Sequence, residues 1–145
     1  MAKLSALRVD PELSEEGRWV DYELGIRLRI ARHNNSRYQA YFMKLLRDNP
    51  EVQEDTESFG NLLKVAVGRT ILRDWEGVED DDGKEMEFSE DVGEKILTDP
   101  AYQDLYQFVL SEAQSSLLYR ENAAGNSENS STGTSSGCLL YTSPS

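Results

Sequence analysis

Three consecutive carboxylates, Asp80, Asp81 and Asp82, run into Gly83, and carboxylates before a glycine are how a calcium loop begins. Such a loop needs oxygen ligands at positions 1, 3 and 5, glycine at 6 and a bidentate glutamate at 12. With Gly83 at position 6, position 1 is Val78 and position 12 is Ser89, so both end ligands fail. The cluster reads instead as an exposed Asp-Gly turn. His33 is the single histidine, beside Asn34 and Asn35, and it lacks the partners that a hydrolytic triad or a zinc site requires. Gly60, Gly68 and Gly77 do not have the spacing of a phosphate-binding loop. Glu85 and Glu87 form a pair of the sort that arises by chance among 27 acidic residues. The expectation is a protein that is not an enzyme, with no cofactor and no metal.

The residues with the character of contact residues are aromatic and basic. Trp19 alternates with Val20 and Tyr22 in a way that sets it on an outer face with Arg27 and Arg29. A Trp and Arg face is the composition of a protein-binding patch. Trp75 reads first as a core anchor and second as a partner-facing residue. Tyr102 and Tyr106, on the last helical stripe, complete the candidate set.

Those side chains must be positioned by a small number of elements. Gly17 to Tyr22 is a strand candidate, and Ile26 to Arg32 alternates strictly, with Ile26, Leu28 and Ile30 on one side and Arg27 and Arg29 on the other. Glu23-Leu24-Gly25 connects them into an antiparallel hairpin. Asn34-Asn35-Ser36 starts a helix carrying Tyr38, Tyr41, Phe42, Leu45 and Leu46, which Asn49-Pro50 stops. A second helix starts near Asp55-Thr56. Its apolar stripe runs from Phe59 through Ile71 to Trp75, with Gly77 as a left-handed cap. Ser89 caps a third helix to about Leu97. Asp99-Pro100 opens a fourth, whose stripe runs from Tyr102 to Leu117. The fold class is α+β: an N-terminal antiparallel β-hairpin followed by about four helices and a disordered C-terminal tail. A lone hairpin is marginal in water, so the helices should pack on its Ile26, Leu28 and Ile30 face.

Residues 1–16 read as a flexible or extended lead-in, 17–120 as the α+β domain, and 121–137, rich in Ser, Asn and Gly, as a disordered tail. Residues 138–145, CLLYTSPS, read as translated sequencing-adapter sequence, which would make Cys138 non-native and remove any redox argument based on it. The formal net charge is -12. Residues 1–50 hold nine Lys and Arg against seven Asp and Glu, whereas residues 51–145 hold six against twenty. That balance argues against binding nucleic acid through its phosphates and permits an acidic surface that meets a basic partner. Neither a membrane-spanning run nor the apolar core of a signal peptide is present, so a cytoplasmic setting is expected.

Three stretches together resemble the phage tail assembly chaperones of siphovirus-type phages. They are Glu16 to Tyr22 leading into Gly25 to Arg32 and Asn34-Asn35; Ile71 to Val78 followed by the Asp-Gly turn and Phe88-Ser89; and Leu97 to Pro100 leading to Leu105, Phe108 and Val109. The resemblance spans about residues 12–120 and lies in the order and spacing of compact, non-catalytic motifs. It implies an assembly factor in the host cell cytoplasm, absent from the finished virion. Such a factor binds the tape measure protein, keeps it soluble and recruits tail tube protein, with self-association a further expectation. The competing readings are a structural head–tail or tail-completion protein and a small acidic inhibitor of a host nucleic-acid-binding protein.

Overall fold

In the computed structural model, residues 1–120 are described; the expected disordered tail and the adapter-like residues lie outside them. The chain divides into two compact units, one formed by Met1–Asp10 with the stretch from Ser116, the other by Pro11–Ser115. The smaller unit holds 3₁₀ turns at Leu4–Leu7 and Ser116–Tyr119 and an antiparallel bridge between Val9 and Arg120. The Asp10 N–H donates to the Tyr119 carbonyl at 2.8 Å.

The larger unit begins with a short helix, α1 (Pro11–Glu16), so the lead-in is helical at its end rather than extended or flexible throughout. Pro11 takes the first helical position, where its missing N–H costs nothing. Strands β1 (Arg18–Asp21) and β2 (Arg27–Ile30) then form the expected hairpin, and α2 (Ser36–Asp48), α3 (Thr56–Thr70), α4 (Glu90–Leu97) and α5 (Gln103–Ala113) follow. The helix starts are set by side-chain caps. Asn35 accepts from the Tyr38 N–H at 2.8 Å, Asp55 from Glu57 at 3.1 Å, and Ser89 from Val92 at 3.1 Å. Asp99 accepts from Ala101 at 2.9 Å and opens a 3₁₀ turn, Pro100–Tyr102, that feeds α5. Helix α5 ends at Ala113, so Leu117 is outside its stripe and 61% exposed.

The main departure from the sequence reading is a third strand, β3 (Leu72–Glu76), where the second helix was expected to continue to Gly77. The sheet order is β1-β2-β3, all antiparallel, with β2 in the centre. Leu28 pairs with Trp75 and Ile30 with Leu72, and a bulge between those pairs leaves Arg73 as an extra residue. Gly77 therefore caps no helix. It turns the chain out of β3 at φ +77, and a Cβ there would come within 2.7 Å of the Gly25 carbonyl oxygen.

One face of the sheet is the core. Leu28, Ile30 and Leu72 are fully buried there and pack in one cluster with Ala66 and Val67 of α3, Leu97 of α4, and Tyr106, Val109 and Ala113 of α5. Each large apolar side chain so buried contributes roughly 1.5–3 kcal/mol. Helices α3 and α4 touch backbone to backbone at Gly68 and Gly93, where a Cβ on Gly68 would lie 2.6 Å from the Gly93 carbonyl oxygen. That contact is why a glycine is kept inside α3, where it costs about 1 kcal/mol relative to alanine. No described helix is long and apolar enough to cross a membrane.

Candidate functional site

The sheet displays the sequence-predicted contact residues on two different faces. Alternation along β1 and β2 sets Trp19, Arg27 and Arg29 together on the outer face, with Trp19 directly opposite Arg29. The Arg27 guanidinium carbon stands 5.4 Å from the centre of the Trp19 ring. Arg27 also reaches across all three strands, with Nε 3.2 Å from Asp21 Oδ1 and a terminal nitrogen 3.4 Å from Glu76 Oε1. Arg29 lies 4.0 Å from Glu16, and its Nε is buried without a hydrogen-bond partner. Arg73, in the bulge, donates to the Arg69 carbonyl at 3.0 Å. Burial, with Arg37 and Arg29 nearby, pulls the Arg73 guanidinium below its usual pKa range. This face is a layer of aromatic and charged groups most of which already have partners.

Trp75 and Tyr102 line one groove on the other face. The bulge turns Trp75 toward the core side, where the ring is 8% exposed and its Nε1–H donates to the Met86 carbonyl at 2.8 Å. Phe88 packs edge-on against it with ring centres 5.2 Å apart. Met86 is carried back to this point by the acidic turn. Its N–H donates to the Val78 carbonyl at 2.8 Å, and Asp80 closes the tip by accepting from the Asp82 and Lys84 N–H groups, both at 2.9 Å. The acidic residues singled out in the sequence thus build a turn that holds Met86 under Trp75. Beside that arrangement opens a groove of about 330 Å³, walled by Tyr22 and Ile26 from the hairpin, Trp75 and Met86, Tyr102 from the 3₁₀ turn before α5 and Leu105 from its first turn. Tyr102 is 45% exposed at its mouth. Tyr106 is not part of it: it is buried in the core, with the Lys64 ammonium 5.5 Å from its ring centre.

The charged residues lining the groove, Glu79 and Asp104, are both acidic. Burial, with Glu23 and Asp104 adding to it, pushes the Tyr22 phenol above its usual pKa, which registers the negative field at this end of the hairpin. Among the described residues no cation forms an ion pair with Glu23, Glu79 or Asp104. Leu24, between the groove-lining Tyr22 and Ile26, is 94% exposed and sits at φ +59, the left-handed region that L-residues avoid at a cost of roughly 1–2 kcal/mol. Tyr22, Ile26 and Met86 were not among the sequence-predicted contact residues. Ile26 carried a signal, the apolar face of the alternating strand, whereas Met86 carried none until the turn brought it back.

His33 is half-buried against Tyr38, with ring centres 4.8 Å apart, and burial lowers its pKa. Its place is one of packing between the hairpin and α2. Among the described residues no group of three or more His, Cys, Asp or Glu side chains is placed to hold a metal ion. What the two faces offer chemically is contact: a charged aromatic layer on one, an apolar groove with acidic walls on the other.

Among known proteins, the family model of the YdaY prophage protein matches residues 32–128. The matched stretch contains Trp75, Met86, Tyr102 and Leu105 and begins after Trp19, Arg27 and Arg29. No curated protein and no solved structure shows a significant match.

Proposed function

From the premise that this chain belongs to the YdaY prophage protein family and is therefore phage-derived, we propose that it acts as a tail assembly chaperone. In that role it binds the tape measure protein in the host cell cytoplasm, keeps it soluble and recruits tail tube protein, without being an enzyme. The observation that carries the reading is the apolar groove beside Trp75, built by Tyr22, Ile26 and Leu28 of the hairpin together with the Ile71 to Val109 stretch, both of them regions whose motifs resemble those of tail assembly chaperones. A chaperone for a long apolar client needs exposed apolar surface on a protein that itself stays in solution, and a net charge of -12 favours solubility of the pair.

The test is co-expression with a tape measure protein from the same prophage. The chaperone reading expects the tape measure protein in the soluble fraction only when this chain is present, with the two co-purifying. An unchanged insoluble fraction overturns the reading. Recovery of the chain from purified virions by mass spectrometry would favour the structural head–tail alternative instead.

A further inference from the structure

The groove has a chemical preference that can be read from its walls. Its floor is aromatic and aliphatic, with Trp75 and Met86 at the base, and Met is the side chain best able to reshape around different apolar partners. At about 330 Å³ it stands at the small end of ligand pockets, room for a few side chains rather than for a whole helix. Its charge has one sign: Glu79 and Asp104 line it, Glu23 adds to the field on Tyr22, and the turn from Asp80 to Asp82 continues directly from Glu79. A concave surface walled by one sign of charge attracts the opposite sign.

Leu24 adds a second, independent observation. A leucine held in the left-handed region and 94% exposed is a poor choice for a turn, where Gly or Asn would serve without strain. It stands between two groove-lining residues, and Tyr102 is exposed at the groove's mouth.

We propose that this groove is a docking site for a protein segment that inserts apolar side chains between Trp75, Ile26 and Leu105 while lysine or arginine residues on its flanks meet Glu23, Glu79 and Asp104. The inference rests on the chaperone reading for the partner being a protein chain. It adds which face receives that chain and what its sequence must carry.

The probes are two synthetic peptides with leucine at i, i+3, i+4 and i+7, one with lysine at the flanking positions and the other with glutamate. In the full chain carrying Trp19→Phe, Trp75 is the single tryptophan, so its fluorescence reads the groove directly. The lysine peptide is expected to shift Trp75 emission, to bind more weakly as salt rises, and to bind more tightly than the glutamate peptide. Tyr102→Ala and Leu24→Asn should each weaken it by roughly tenfold or more, the loss typical of removing a central interface side chain. The double variant Glu79→Lys with Asp104→Lys should invert the preference toward the glutamate peptide. Those charge reversals lie at the surface, so unchanged circular dichroism identifies a folded protein. Binding without a Trp75 response, equal binding of both peptides, absence of binding, or no inversion each overturns the proposal. The chaperone reading fails separately: if the folded charge-reversed variant still keeps the tape measure protein soluble, the groove is not the docking site and the chaperone stands. If the peptides bind as expected and the tape measure protein stays insoluble, the groove stands and the chaperone does not.

Discussion

The two faces of the sheet carry one tryptophan each, and the surroundings of the two rings are opposite in kind. Trp19, on the outer face, lies under the Arg27 guanidinium, and the charges around it are matched locally: Arg27 by Asp21 and Glu76, Arg29 by Glu16. Trp75 is buried, hydrogen-bonded to the Met86 carbonyl, and borders a groove whose charged walls are both acidic. By composition the outer face looked the better contact patch, with its Trp and two Arg in sequence. In three dimensions most of its charged groups, the Arg29 Nε apart, are already met from within the chain, while those of the groove are not. Residue type alone marks a surface able to bind; whether the demand is open depends on what the fold has placed beside it.

The largest expected effect sharpens that contrast. Trp75→Ala removes a core ring and its hydrogen bond and should cost about 3–5 kcal/mol, as for other buried aromatics. Trp19→Ala removes a half-buried ring and one cation–π contact and should cost less, about 1–2 kcal/mol. Urea unfolding of the two variants checks this, and similar losses would erase the distinction between the faces.

Next in size is the helix contact that positions α4, whose Ile96 borders the groove. Gly68→Ala would drive a methyl group into the Gly93 carbonyl of α4 and should destabilise by about 1–3 kcal/mol through overpacking. Gly60, in the same helix, has nothing within 4 Å of a built Cβ, so Gly60→Ala should stabilise by about 1 kcal/mol. Thermal unfolding of the pair should move in opposite directions; a shift in the same direction would mean that α3 and α4 do not touch at Gly68.

Leu24→Gly relieves the left-handed backbone strain and should raise stability by up to about 1 kcal/mol, the relief being partly offset by the greater freedom of glycine when unfolded. A trade is expected: a more stable protein that binds the lysine peptide less well. A variant that gains stability and loses no binding would separate Leu24 from the groove.

How far all this was readable from the sequence differs between the faces. The hairpin was legible because Ile26, Leu28 and Ile30 alternate cleanly with Arg27 and Arg29, and the helix starts because Asn35, Asp55 and Ser89 are capping residues in place. Strand β3 was not, and the bulge is the reason. Inserting Arg73 puts Leu72 and Trp75 on the same face three residues apart, so a strand acquires the spacing of a helix and extends the stripe of α3. With β3 hidden, the pairing of Leu28 with Trp75 was hidden too, and so was a groove whose walls come from residues 22–28, 75–86 and 96–105. The acidic turn was correctly an exposed Asp-Gly turn; its consequence, the return of Met86 to Val78, is a hydrogen bond that no pattern announces.

The smallest expected effect is at Arg27, and it tests the outer face most directly. Its guanidinium joins three partners at once, Trp19, Asp21 and Glu76, so on a diagram it looks central to the sheet. Yet the side chain is 46% exposed and both carboxylates are more exposed still, so water and salt screen each contact. Pairs of this kind contribute about 0–1 kcal/mol and a surface cation–π contact about 0.5–1 kcal/mol. Arg27→Ala should therefore lower stability by roughly 1 kcal/mol or less, with the loss shrinking as ionic strength rises because the Debye length falls to roughly 3 Å at 1 M. Binding of the lysine peptide in the groove should be unchanged, since Arg27 points away from it. A loss of several kcal/mol that salt does not reduce would mean that the outer face holds the sheet together. Weaker peptide binding would mean that the partner reaches across both faces, and in either case the division between a completed surface and an open one would have to be redrawn.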